Sequence, residues 1–232
     1  MSIALPNPLI ITNDDGIDAP GIRALWDAVG GAGKLIAPAE AHSGCSHTIT
    51  MHGAIAVDER SDTEIAVHGT PADCVRMALN HLETDPAFVL SGINMGGNLG
   101  HDIYLSGTVG AAREAALHRI PAIALSRYFS IDKGLDWDYT GELAVASIEA
   151  ALANQPDDEG FWNINIPNVT RDDRAPEMVF CERCTQALPV HYKRKDGKFH
   201  YARDAYKDRP RCEATDVDVC FGGDVAITWI GL

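Results

Sequence analysis

The reading turns on "LIITNDDGIDAPGI", residues 9 to 22. "PLIIT", residues 8 to 12, is an unbroken apolar run, which marks a strand buried on both faces, as a parallel sheet requires. Asn13, Asp14, Asp15 and Gly16 follow at once. Then "APGIRALWDAVG" carries apolar Ile22, Leu25, Trp26 and Val29 at helical spacing and closes on glycine. Strand, polar turn and helix form the opening unit of an α/β fold, whose ligands bind at the carboxyl ends of the strands.

The alternation continues outward from there. The pattern predicts strands at 34–38, 64–70, 87–94, 121–126 and 161–167, and helices over 71–82, 109–120 and 138–153. Residues 39–48 and the glycine-rich 95–108 read as loops. These elements predict one α/β domain over residues 1–232, a mostly parallel sheet with helices on both faces. From about residue 172 helical periodicity fades. "VHYKRKDGKFHY" is two polar-aromatic runs around Asp196-Gly197, a hairpin signal. The core is therefore expected over about 1–170, with an extended hairpin arm and C-terminal strands over about 172–232. Exposed strands of such an arm need cover, and a partner subunit is the usual cover.

The chain has 232 residues, enough for one full core. Its 33 acidic against 19 basic side chains give a formal charge of −14, a surface that repels nucleic-acid polymers and anionic membranes. A small anion is still admissible where a metal or backbone N–H groups reverse the local sign. No apolar run of about 18 residues is present, so no membrane helix is expected. "MSIALPNPLI" lacks the basic start and apolar core of a signal peptide, which points to the cytoplasm and to reduced cysteines.

Two adjacent carboxylates at a strand end repel unless a proton or cation joins them. A hard divalent cation suits carboxylate, amide and water oxygens. The alternative is that Asp15 caps the next helix. A second cluster, "SGINMGGNLGHDIYLSGTVGAA" (residues 91–112), favours the cation. Asn94 follows a buried strand just as Asn13 does, and offers an amide oxygen. Ser106, Gly107 and Thr108 open an alanine-rich helix, where hydroxyls and free N–H groups suit an anion. No G-x-G-x-x-G or G-x-x-x-x-G-K-[ST] pattern is present, which argues against dinucleotide and P-loop binding.

At these residues the sequence resembles the SurE survival-protein family of metal-dependent 5′/3′-nucleotidases. The resemblance rests on "ITNDDGI", "GTPADCV", "SGIN" with "GGNLG" behind it, "DIYLSGTVGAAREA" and "IPAIALS", with weaker echoes in "NINIP" and "TDVDV". It implies a Rossmann-like core with an extended arm, a homodimer or homotetramer, and hydrolysis of nucleoside monophosphates to nucleoside and phosphate. It implies one divalent cation per subunit, Mg²⁺, Mn²⁺ or Ca²⁺, held by Asp14, Asp15, Asn94 and Ser43, with Ser46 the other serine in reach. It gives Asn98, Ser106, Gly107 and Thr108 to the phosphate, and Thr70 and His101 to the neighbouring wall. Asp14 or Asp15, with preference for Asp14, would be the general base. Met95 stands where the family often has arginine, and "SGCSHT" departs from the usual loop.

Three further readings stand beside this one. His42, His47 or His101 could donate a proton to the leaving nucleoside. Cys181, Cys184, Cys212 and Cys220 could form a four-thiolate zinc site, although the second pair is not spaced as C-x-x-C. The protein could also bind nucleotides without turning them over, as a sensing or assembly protein, or act more broadly on short polyphosphate or sugar phosphates.

Overall fold

The computed structural model describes residues 3–82, 85–130, 133–201 and 209–232. Strand β1 (Leu9–Thr12) lies at the centre of a nine-stranded sheet. It pairs in parallel with β2 (Lys34–Pro38) on one side and β5 (Phe88–Met95) on the other. Beyond β2 come β4 (Glu64–Val67), parallel, and β3 (Val57–Glu59), an antiparallel edge. Beyond β5 come β6 (Ala122–Arg127) and β7 (Gly160–Ile166), both parallel. The chain thus winds outward from β1 in one direction and from β5 in the other. The point of reversal lies between them, where ligand crevices form in open α/β sheets.

Both faces of the sheet are covered, which explains the unbroken apolar strands. Leu9 and Ile11 face α1 (Pro20–Ala28) and α4 (Trp137–Ala153), in one core cluster with Ile22, Leu25 and Ile148. Ile10 faces the other way, with Val75 of α2 (Pro71–Asn80) and Val109 of α3 (Gly107–Leu117). Alternate residues of a strand point to opposite faces, so each face needs its own apolar partner.

The structure differs from the sequence expectation in three ways. β8 (Met178–Phe180) and β11 (Val225–Gly231) extend the main sheet, with β11 antiparallel to β7. A short helix, α5 (Asp216–Gly222), precedes β11 where no helix is expected. A 3₁₀ turn over Gly100–Tyr104 interrupts the glycine-rich loop. The hairpin itself is present: β9 (Tyr192–Lys195) pairs with β10 (Lys198–Tyr201) around Asp196 and Gly197, both at positive φ. Residues 202–208 of this arm lie outside the described residues.

The C-terminal segment buttresses the glycine loop. The buried Asp216 carboxylate accepts from the backbone N–H of Gly100 at 2.7 Å and of Cys184 at 2.8 Å. The buried Arg209 guanidinium donates to the Leu99 carbonyl at 2.9 Å and to Asp102 at 2.7 Å. The four C-terminal cysteines sit around an apolar cluster with Leu99, Val217 and Ala226. Among the described residues no three His, Cys, Asp or Glu side chains converge on a metal position, and all six cysteines are free thiols. Among the described residues the four thiols therefore do not gather at one point: Cys184 and Cys220 are buried in the cluster, as cysteines commonly are, and Cys181 and Cys212 pack at its edge.

Candidate active site

The turn after β1 is shaped by its own side chains. The Asn13 amide donates to the Gly16 carbonyl at 2.8 Å and accepts from the Gly16 N–H at 3.2 Å. This closed turn needs a residue at φ +99°, which only glycine adopts without strain. Helix α1 starts at Pro20, and its N-cap is Ala19, with no side-chain cap. Asp15 therefore does not cap the helix. Its carboxylate crosses to β5 and accepts from the backbone N–H of Met95 at 3.1 Å.

Asp14 lies deeper, 4% exposed. The Thr108 hydroxyl donates to its Oδ1. Burial is the largest influence on its carboxyl, opposed by that hydrogen bond and reinforced by the Asp15 charge, and the balance pushes its pKa up to about 6. Burial also holds Asp15 above the ordinary carboxylate range. Burial thus holds both carboxyls of the pair above their ordinary range.

Helix α3 points its N-terminus at this pair. Ser106 is the N-cap, and its hydroxyl accepts from the Val109 N–H at 3.1 Å. A Cβ on Gly107 would lie 2.9 Å from the Asp14 Cβ and 2.6 Å from the Cys45 sulfur. Only glycine lets the helix start come so close to the acid. From the other side Asn94, at the end of β5, donates its amide N–H to the Gly96 carbonyl at 2.7 Å. That fixes the amide and leaves Oδ1 as the atom it can offer a cation.

The loop after β2 closes the third side. The His42 N–H donates to the Asp14 carbonyl at 2.7 Å, and the Cys45 N–H to the His42 carbonyl at 3.1 Å. Ser43 and Gly44 form the exposed tip of that turn, next to His42, which bonds the Asp14 backbone. Ser46 is committed elsewhere, its hydroxyl donating to the Tyr104 carbonyl at 2.5 Å. Asp14, Asp15 and Asn94 thus come to the same crevice, and carboxylate and amide oxygens are donors that suit a hard divalent cation.

A model of the family described as Survival protein SurE matches residues 9–188. The chain belongs to the SurE family. It is 46% identical over 221 residues to a Nostoc sp. protein whose 5′-nucleotidase assignment is provisional, covering 95% of this chain and 97% of that one. It is 36% identical over 239 residues to the 5′-nucleotidase SurE of Brevibacillus brevis, covering 95% and 88% of the two chains. The crystal structure of the SurE protein from Aquifex aeolicus superposes with a TM-score of 0.81 at 28% identity, over 96% of this chain and 92% of that one. The Rossmann-like architecture is thus shared with a solved SurE protein.

The other expected site residues have partners within the fold. Asn98 is buried below the loop: its amide donates to Ser126 at 2.8 Å, its N–H donates to Asn165 at 2.8 Å, and its carbonyl accepts from Asn163 at 2.9 Å. It anchors the glycine loop to β6 and β7. The Thr108 hydroxyl is held by Asp14, and the Thr108 backbone N–H also turns to that carboxylate. Thr70 caps α2 in a reciprocal box with Asp73, and its hydroxyl donates to the Thr48 carbonyl at 2.6 Å. Asp73 in turn accepts from Thr50, so this pair ties down the end of the Ser43 loop. His101 lies in the 3₁₀ turn, its ring 6.4 Å from that of Tyr104. His47 contacts the buried Glu114 at 2.7 Å, alongside Arg76 and His118.

Cys45 is the site neighbour that the sequence did not announce. Burial first, and the Asp14 charge second, push its thiol up to about 11. The departure "SGCSHT" from the usual loop was its one visible signal.

Proposed function

We propose that the protein is a divalent-cation-dependent phosphomonoesterase that hydrolyses nucleoside monophosphates to nucleoside and phosphate. The observation that carries this reading is the meeting of Asp14, Asp15, Asn94 and the α3 N-terminus at the sheet's point of reversal. The names of the SurE relatives support the substrate class.

Asp14, Asp15, Asn94 and Ser43 would hold the cation, which when bound offsets phosphoryl charge and makes a water more acidic. The N-terminal turn of α3, from Gly107 on, would meet the phosphate oxygens with its N–H groups and stabilise charge growing there. Ser106 keeps those N–H groups aimed by capping the turn behind them. Thr108 pins Oδ1 of Asp14, and whichever of the two acids is less committed to the cation, Asp14 by preference, would accept the proton of the attacking water. The cytoplasm is the proposed compartment, and among the described residues no helix is long and apolar enough to cross a membrane. A homodimer or homotetramer is the proposed assembly, supported by a hairpin exposed along both strands.

The test is phosphate release from nucleoside monophosphates by EDTA-treated protein. Release restored by Mn²⁺ or Mg²⁺ is the expected result. No release from any nucleoside monophosphate with either metal contradicts the proposal and leaves nucleotide binding without turnover.

A further inference from the structure

The arm leaves the body of the protein after one cysteine and returns to it at another. Cys184, which follows β8, is buried in the C-terminal cluster with Leu99, Val217 and Ala226, and Cys212 packs half-buried at the edge of that cluster. The residues between them, 185–211, carry the hairpin of β9 and β10. Both ends are fixed to the body by hydrogen bonds. The Cys184 N–H donates to the Asp216 carboxylate at 2.8 Å, and the Asp216 N–H donates to the Glu182 carbonyl at 2.9 Å. The Cys212 carbonyl accepts from the Thr215 N–H at 3.3 Å and from the Thr215 hydroxyl at 2.7 Å, in the turn that leads into α5.

The two thiols meet there. The Cys184 sulfur accepts hydrogen bonds from the backbone N–H groups of Gln186 and Cys212 and from the Cys212 side chain. Burial pushes the Cys184 thiol up, but those hydrogen bonds outweigh it and hold it below the ordinary value of 9.0. Other thiols of the chain go the opposite way: burial raises Cys45 and Cys181 to about 11, and raises Cys74 and Cys220 as well. Access is divided between the pair. Cys212 is partly exposed, whereas Cys184 is 1% exposed. An accessible thiol backed by a buried one whose thiolate is stabilised is the arrangement of a redox pair, in which one cysteine takes the oxidant and the other resolves it.

We propose that Cys184 and Cys212 are a reversible dithiol–disulfide pair that fastens the two ends of the arm together when the protein meets a small disulfide such as oxidised glutathione. The Cys212 thiolate attacks one sulfur of that disulfide, breaks its S–S bond and releases the first glutathione thiolate, which takes up the proton that Cys212 gave up. The Cys184 thiolate then attacks the Cys212 sulfur, breaks the mixed disulfide and releases the second glutathione thiolate, which takes up the Cys184 proton. Two protein thiols are thereby oxidised to one disulfide, and one glutathione disulfide is reduced to two thiols. The new bond encloses residues 185–211 and removes freedom from the unfolded chain. It sits behind the glycine loop. A Cβ on Gly100 would meet the Cys184 carbonyl at 3.1 Å and the Cys184 Cβ at 3.5 Å, and Arg209, which holds the Leu99 carbonyl, lies within the enclosed segment. Oxidation thus stiffens the support of the loop beside the acid pair, whichever substrate that crevice takes.

The experiment incubates the full chain with oxidised glutathione, blocks the remaining thiols with N-ethylmaleimide and reads the tryptic peptides by mass spectrometry, with and without dithiothreitol. Cys184 begins one tryptic peptide, and Cys212 and Cys220 share another, so fragmentation assigns the link. A Cys184–Cys212 link that dithiothreitol removes is expected, with Tm of the oxidised protein raised by about 5–10 °C over the reduced. Cys212→Ser, a change of one atom at a partly exposed position, should lose both the link and the rise in Tm. Cys184→Ser should stop at the mixed disulfide and keep glutathione on Cys212; where that variant fails to fold, the comparison with Cys212→Ser decides alone. Full blocking of both cysteines after oxidation, a link from Cys184 to Cys181 or Cys220 instead, or an equal rise in Tm in Cys212→Ser overturns the proposal.

Discussion

At the residue scale, the two acids divide their roles through their neighbours. Asp14 is buried and held by Thr108, whereas Asp15 is half-buried and tied to the Met95 N–H. Asp14→Asn and Asp15→Asn should each reduce phosphate release at least about 10²-fold, the lower bound for losing a positioned base or charge partner. Unchanged circular dichroism would show the fold intact. Turnover retained in both variants would contradict the assignment. Asp14→Asn should also stabilise the metal-free protein. A carboxyl whose folded pKa is raised loses stability as pH rises through that value, here about 6, so the gain should appear at pH 7–8 and fade at pH 4. A rise in Tm of a few degrees is expected, since 1 kcal/mol shifts a chain of this size by about 2–4 °C. A lower Tm at pH 8 would show that the acids are not in conflict.

At the scale of elements, α3 serves two ends. Its N-terminus faces the acids, and further along the buried Glu114 collects His47, His118 and Arg76. Gly107→Ala would force a Cβ to within 2.6 Å of the Cys45 sulfur, so the helix start must shift away from Asp14. Activity should fall at least about tenfold, since catalytic groups tolerate little misplacement. Native activity in this variant would remove α3 from the site. Burial raises the pKa of Glu114, but its hydrogen bonds to His47 and His118 outweigh this and hold it below the ordinary value of 4.5. A lowered folded pKa contributes stability that is present above the unfolded value and lost as pH falls, so Tm should drop on acidification below about pH 4.5. Glu114→Gln should lower Tm at pH 7 and flatten that acid limb. An equally steep limb in the variant would place the titration elsewhere.

The same scale shows why some elements were legible in the sequence and others were not. Strand β1, strand β2 and helices α1 to α4 announce themselves because burial on both faces forces long apolar runs and helical periods. Helix α5 is seven residues long, "DVDVCFG", too short for a period to emerge. The three-residue strands β3 and β8 carry no pattern of their own. The placement of β11 beside β7 is a non-local pairing that no local pattern encodes. Within the site, Asp14, Asp15 and Asn94 were legible because polar groups ending a buried strand stand out. Asn98, Thr70 and the Thr108 hydroxyl were not, since which partner each takes is decided by tertiary contact. Asn98 binds Ser126, 28 residues away, and the Thr108 hydroxyl binds Asp14, 94 residues away.

At the scale of the whole molecule, three remote segments converge on one crevice: the turn after β1, the glycine loop after β5 and the Ser43 loop after β2. The C-terminal segment holds the glycine loop from behind through Asp216 and Arg209, and the arm lines a groove that leads from it. With 33 acidic against 19 basic side chains in the chain, the proposed function requires a cation in this crevice before a phosphate can settle there. The most direct test is a crystal of the protein grown with Mn²⁺ and measured for anomalous scattering. The account predicts a peak in each subunit between the carboxylates of Asp14 and Asp15 and the amide oxygen of Asn94. No peak there, with both carboxylates turned to other partners, would contradict it.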